Sequence, residues 1–192
     1  MYIKPPNGKR FAPAADSNPL RKGHGFQPLT EARQIPAGST IDARTGTLQL
    51  VAATGARGKA AKIQSGIFSG GIFKASQARS GLSKGLTTLT LLADAFPGAP
   101  SYSKCKGGKA LDAHSASGNP ILQILHARDR HGRFRTKGRY SAGTVRGTQW
   151  DTWEVCGATV TAVHRGTVSV LDFGKRKTII VHAGQRYLAK RR

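Results

Sequence analysis

Between residues 132 and 140 the cations Arg133, Arg135, Lys137 and Arg139 occupy every second position, with Phe134 and Thr136 among the residues between them. A period of two is that of a pleated strand, whose successive side chains point to opposite faces. The spacing therefore predicts that the four cations share one exposed face and that Phe134 takes the other. From 144 to 155 β-branched and aromatic residues recur with the same period, and the pattern resumes at 158–163 and runs on to 171. Gly138 and Gly143 break the first run, Gly147 the second, and Cys156-Gly157 closes it. The core predicted from these runs is Phe134, Val145, Trp150, Val155, Val160, Val168, Val170, Ile180 and Leu188. Trp150 and Trp153 are an odd number of positions apart, so a regular strand turns them to opposite faces.

Upstream the pattern is shorter and more broken. Pro5, Pro6, Pro13, Pro19 and Pro28 rule out a regular helix over residues 2–30, and Asn7-Gly8 suits a hairpin turn between 2–4 and 10–11. From Glu31 short β segments follow at 33–35, 39–42, 47–52, 60–64, 66–75, 87–92 and 121–127, with turns at 36–38, 44–46 and 54–58. The glycine-rich run 66–75 reads as one bulged or tightly packed strand. No Gly-Lys-Ser/Thr opens a helix there, so it is not a phosphate loop. Breaker-rich stretches at 93–104, 106–109 and 115–120 predict loops. The fold class that results is all-β, a sandwich, barrel or jelly-roll-like module with long loops and little helix. Its organisation is a Pro/Gly-rich lead-in over 1–30, then a β domain over 31–192 with a loop-rich insertion around 93–120.

The β-patterned runs carry recognisable local motifs. Val-Arg-Gly-Thr at 145–148, Val-His-Arg-Gly-Thr-Val-Ser-Val at 163–170 and Val-His-Ala-Gly-Gln at 181–185 resemble, in order and spacing, the FecR-type domain named after the ferric-citrate regulator. Residues 35–42 and 46–50 look like the same family's upstream elements. The resemblance is nearest to FecR-like units of actinobacterial surface proteins, which carry a Gly-Arg-Phe-Arg-Thr-x-Gly-Arg-Tyr run. It implies a sandwich, jelly-roll or β-helix-like module outside the cytoplasm, serving cell-surface architecture, adhesion or signal sensing. None of its motifs is catalytic. The only cysteines, Cys105 and Cys156, are a single even pair in a β-rich chain of extracytoplasmic resemblance, and one disulfide is expected between them.

Composition changes this picture in one respect. Thirty-one Lys and Arg stand against nine acids in 192 residues, a formal net charge of +22. Such a surface attracts polyanions and releases counterions on binding them. An anionic cell-envelope polymer or a partner protein is the expected contact, with nucleic acid as the alternative, although no helix-turn-helix, zinc-finger or RNA-recognition signature is present. Arg133, Arg135, Lys137 and Arg139 are the candidate polyanion site. No apolar run approaches the roughly 20 residues that span a bilayer, and no leader pattern opens the chain, which reads as part of a larger secreted precursor. The acids and the six histidines show no paired spacing for acid–base chemistry or metal ligation, and His126 and His131 read as solvated turn residues. Neither an enzyme nor a cofactor is predicted.

Overall fold

Fifteen strands, present among the described residues, build two antiparallel-dominated sheets packed face to face. The computed structural model describes residues 1–6, 25–54, 62–105, 121–129, 132–145 and 147–191. The hairpin at Asn7-Gly8, most of the turn at 54–58, the loops at 106–109 and 115–120, and His131 lie outside them. In chain order the first eight strands are β1 (Tyr2–Lys4), β2 (Gln27–Pro28), β3 (Thr40–Asp42), β4 (Thr47–Ala53), β5 (Ile63–Ser69), β6 (Ile72–Gln77), β7 (Thr87–Leu91) and β8 (Ile121–Asp129). The remainder are β9 (Phe134–Lys137), β10 (Ser141–Val145), β11 (Gln149–Val155), β12 (Ala158–Arg165), β13 (Thr167–Asp172), β14 (Lys177–His182) and β15 (Arg186–Lys190). The larger sheet has nine strands in the order β14-β13-β10-β9-β7-β6-β3-β1-β2, and the smaller has six, β15-β12-β11-β8-β5-β4. Tyr102–Lys104 forms a 3₁₀ turn. The all-β sandwich expected from the patterning is what forms.

Alternation decides what lies between the sheets. Phe134 of β9, Val145 of β10, Trp150 of β11, Val168 and Val170 of β13, Phe68 of β5 and Leu89 of β7 meet in one buried cluster. Burying such side chains contributes roughly 1.5–3 kcal/mol each before entropy is subtracted. The Trp150 indole N–H cannot stay unpaired there, and it donates to Thr136 Oγ1 at 2.9 Å, which also bonds Thr152 Oγ1 at 2.6 Å. Trp153 faces the other way, as its odd spacing requires, and the Arg186 guanidinium lies 5.0 Å from its ring centroid.

Several expectations need correction. Ile180 is 49% exposed, because β14 turns Ile179 and Val181 inward instead. Val155 and Leu188 are only half-buried. Residues 33–35 form no strand, and 66–75 is two strands, with the chain reversing at Gly70 (φ +89°). That left-handed conformation suits glycine, which has no Cβ to clash. Gly143 does not break a run but sits inside β10.

The segment between β7 and β8 is tied down at one end. Cys105 and Cys156 are bridged, fixing it to the β11–β12 turn. Nearby, Tyr102 donates its hydroxyl to Glu154 Oε2, and Glu154 Oε1 accepts from Arg139 N–H at 3.0 Å and Thr159 Oγ1 at 2.8 Å. Gly138 is required here, since a Cβ would fall on Glu154 Oε1. At the opposite end of β11, buried Asp129 accepts from the N–H groups of Gly132, Gly147 and Thr148, at 2.8, 3.1 and 2.6 Å. Gly147 and Thr148 belong to the Val-Arg-Gly-Thr motif, so that motif's local role is to close the start of β11 onto the end of β8. No helix of the described residues is long and apolar enough to cross a membrane.

Candidate functional site

Phe134 and Thr136 are buried, so the alternation of β9 leaves Arg135 and Lys137 on the outer face of the nine-stranded sheet. Register then adds cations that come from distant parts of the chain. Lys137 lies beside Thr90 of β7, Thr90 opposite Lys74 of β6, Lys74 opposite Thr40 of β3, and Thr40 opposite Lys4 of β1. Directly opposed residues share a face. The result is a transverse row Lys4–Thr40–Lys74–Thr90–Lys137, with a lysine on alternate strands about 10 Å apart. Beside it runs a second row of Ser76, Thr88, Arg135, Thr144 and Ser169.

This face is cationic and hydroxyl-lined. Among the described residues, Lys4, Lys74, Arg135 and Lys137 have no acidic partner. Arg135 Nε donates to Thr144 Oγ1 at 3.0 Å, Lys137 Nζ lies 5.7 Å from the Phe173 ring, and Lys4 Nζ lies 5.9 Å from the Phe26 ring. Those contacts position the charged heads of Arg135, Lys137 and Lys4 without supplying a counter-charge.

The four cations expected to form one exposed row divide into two pairs. Arg135 and Lys137 stand on the sheet face, Arg135 half-buried and Lys137 exposed. Arg133 precedes β9 and turns its guanidinium to the carbonyls of Lys84 and Leu82, at 3.1 and 3.3 Å. Arg139 lies in the β9–β10 turn, stacked 4.5 Å from the Tyr102 ring centroid and 5.7 Å from that of Tyr140. Sequence reasoning missed Lys4 and Lys74. The alternation Phe73-Lys74-Ala75 marks Lys74 as outward, but only register places it in line with Lys137.

A second cluster lies on the outer face of the other sheet. Asp151 of β11 accepts from His126 Nδ1 of β8 through Oδ1, and from His164 Nε2 of β12 through Oδ2, both at 2.9 Å. His126 is Asp151's register partner. His164 reaches it by a bulge: Gln149 pairs Arg165 and Trp150 pairs Val163, which leaves His164 as the extra residue. His126 is thus a strand residue in an acid-linked cluster, not a solvated turn residue, and Asp151 is His-linked although no spacing shows it. Ser69, Arg128 and Gln149 complete a shallow pocket of about 310 Å³. Among the described residues no three His, Cys, Asp or Glu side chains converge to hold a metal ion. Comparison with protein families, with curated proteins and with solved structures gives no match.

Proposed function

We propose that this chain is an extracytoplasmic FecR-like binding module that holds an anionic cell-envelope polymer against the outer face of its nine-stranded sheet, acting by contact rather than by catalysis. The observation that carries this reading is the row Lys4, Lys74 and Lys137, flanked by Arg135, with hydroxyls between and, among the described residues, no acid paired to any of the four. Unpaired like charges set about 10 Å apart repel weakly in water, and a polymer with repeating phosphates neutralises several of them at once. The disulfide supports residence outside the reducing cytosol.

The test is a salt series of binding to poly(glycerol phosphate), with a single-stranded oligonucleotide of equal charge beside it. A variant with Lys4, Lys74, Arg135 and Lys137 all replaced by Ser is compared with one in which Arg128, Arg165, Arg186 and Lys190 are replaced. The first should bind more weakly and with a salt slope flatter by up to about one unit per lost phosphate contact. Equal losses in the two variants would reduce the interaction to net charge alone. Tighter binding of the oligonucleotide than of the polymer would make nucleic acid the partner.

A further inference from the structure

β4 is one edge of the six-stranded sheet, and its hydrogen-bonding groups are only half used. Thr54 N–H donates to Lys62 O at 2.8 Å, continuing the β4–β5 ladder by one pair. In an antiparallel ladder such pairs alternate, so Leu48, Leu50 and Ala52 bond to β5 while Thr47, Gln49, Val51 and Ala53 turn their N–H and C=O groups outward. Ala53 O confirms that parity, since it accepts from Gln77 Nε2 at 2.6 Å, away from β5. Among the described residues, no hydrogen bond reaches the outward backbone groups of Thr47, Gln49 or Val51.

These groups open into a groove of about 630 Å³. Its walls are residues 48–53 on one side and the extended segment 29–37 on the other, with Ala75 among its lining. Leu29 and Ile35 pack that far wall against the core.

The other sheet edges carry the usual protections against strand addition. β2 ends in Pro28, β14 carries Lys177, and β15 carries Arg186 and Lys190. β4 has no charge, no proline and no bulge in seven residues, in a chain where 31 of 192 residues are Lys or Arg. Its neighbour β5 is uncharged too, and Val51, Ile63 and Ile67 stand exposed beside the edge at 54%, 78% and 43%.

We infer that the β4 edge is a docking groove for an extended peptide of a partner protein, which adds to the six-stranded sheet as a seventh strand. The peptide bonds to Gln49 and Val51 and sets small apolar side chains on alternate positions toward Leu50 and Ala75. Its flanks are acidic, because whatever approaches this surface enters the field of a chain with net charge +22. A second copy of this chain is the poorer occupant, because two copies of net charge +22 would repel.

The probe is a nine-residue peptide alternating Thr and Val, with two Asp at each end, capped at both termini. Its control has the same sequence and charge with N-methyl groups on the residues that face β4. Calorimetry and amide chemical shifts are read on the intact chain. The unmodified peptide should shift the amides of residues 47–53, 32–35 and 37 and should bind about tenfold more tightly than its methylated analogue, as expected for the loss of one or two backbone hydrogen bonds. Val51→Pro removes an outward N–H without touching the β4–β5 ladder and should weaken binding similarly. Equal binding of the two peptides, or shifts confined to the face bearing Lys74 and Lys137, would overturn the docking groove and leave only charge attraction. A concentration-dependent doubling of mass with shifts at 47–53 would overturn it in favour of a second copy.

Discussion

Replacing Tyr102 by Phe isolates one hydrogen bond on which the loop before β8 depends. Glu154 is 1% exposed on the inner side of β11, and its carboxylate is held by three donors: Tyr102 O–H, Thr159 O–H and Arg139 N–H. Burial pushes the Glu154 carboxyl above its ordinary range, and the three donors pull it part of the way back. The Tyr102 hydroxyl is pushed far above its own ordinary value, first by burial and then by the neighbouring carboxylate, so it remains a donor at any working pH. Tyr102→Phe leaves Oε2 buried without that partner, at a cost of about 1–3 kcal/mol. The bridge at Cys105 keeps the loop attached, so the loss reports the bond rather than loop detachment. Urea unfolding measures it, with an unchanged m-value expected, and a cycle with Glu154→Gln should recover most of the cost in the coupling term. The pH dependence follows in sign. A carboxyl whose folded pKa is raised stabilises fully below its unfolded value of 4.5, and that contribution is lost as pH rises through the folded value. Wild type should therefore lose stability relative to Glu154→Gln as pH rises above 4.5, and the window should extend higher in Tyr102→Phe. A cost below about 0.5 kcal/mol at neutral pH, with no pH-dependent gap from Glu154→Gln, would refute the reasoning.

Two further outcomes are expected. The Cys105–Cys156 bridge spans a sequence separation of 51, for which chain entropy gives about 4 kcal/mol, so replacing both cysteines by Ser should lower the urea midpoint accordingly, and thiol titration of unfolded, unreduced protein should find no free thiol. Thr136→Val strips both the Trp150 N–H and the Thr152 hydroxyl of their buried partner, and calorimetric melting should show a loss of about 1–3 kcal/mol with Trp150 still buried.

Strand content and the inward face of β9 were legible because the alternation around Phe134 admits only one orientation without burying charges. Ile180 was not legible for the opposite reason. Ile179, Ile180 and Val181 are apolar in succession, so β14 carries no alternation to read, and its face is set by pairing with Val168 and Val170. The hairpin at Gly70 hid inside an apolar run whose glycines suit a bulge equally well. Both surface clusters depend on register between strands far apart in sequence. Lys4, Lys74 and Lys137 come from three separate strands, as do His126, Asp151 and His164, and the last of these also needs a one-residue bulge that leaves no mark in the composition.

The charge imbalance is set by composition, 31 Lys and Arg against nine acids, and the fold sharpens it at the surface. Among the described residues the acids are Glu31, Asp42, Asp94, Asp129, Asp151, Glu154 and Asp172, and five of these seven are buried. Asp129 and Glu154 gather N–H and hydroxyl donors, Asp42 holds Arg44, Asp151 holds two histidines, and Asp172 accepts from Lys175 N–H and the Tyr187 hydroxyl. That last bond, together with burial, pushes the tyrosine up to about 12. These carboxylates serve as internal staples of turns and strand ends, and among the described acids only Glu31 and Asp94 are exposed, with Glu31 already paired to Arg33 at 2.5 Å. Nine acids could not balance 31 cations in any arrangement, and burying five of them leaves the outside of the sandwich shorter still of carboxylates. A field of that kind attracts any polyanion within about a Debye length, roughly 8 Å at physiological salt. Specific contact must therefore come from geometry, and the lysine–threonine row of the nine-stranded sheet and the uncharged edge of β4 are two places among the described residues where geometry departs from the average surface.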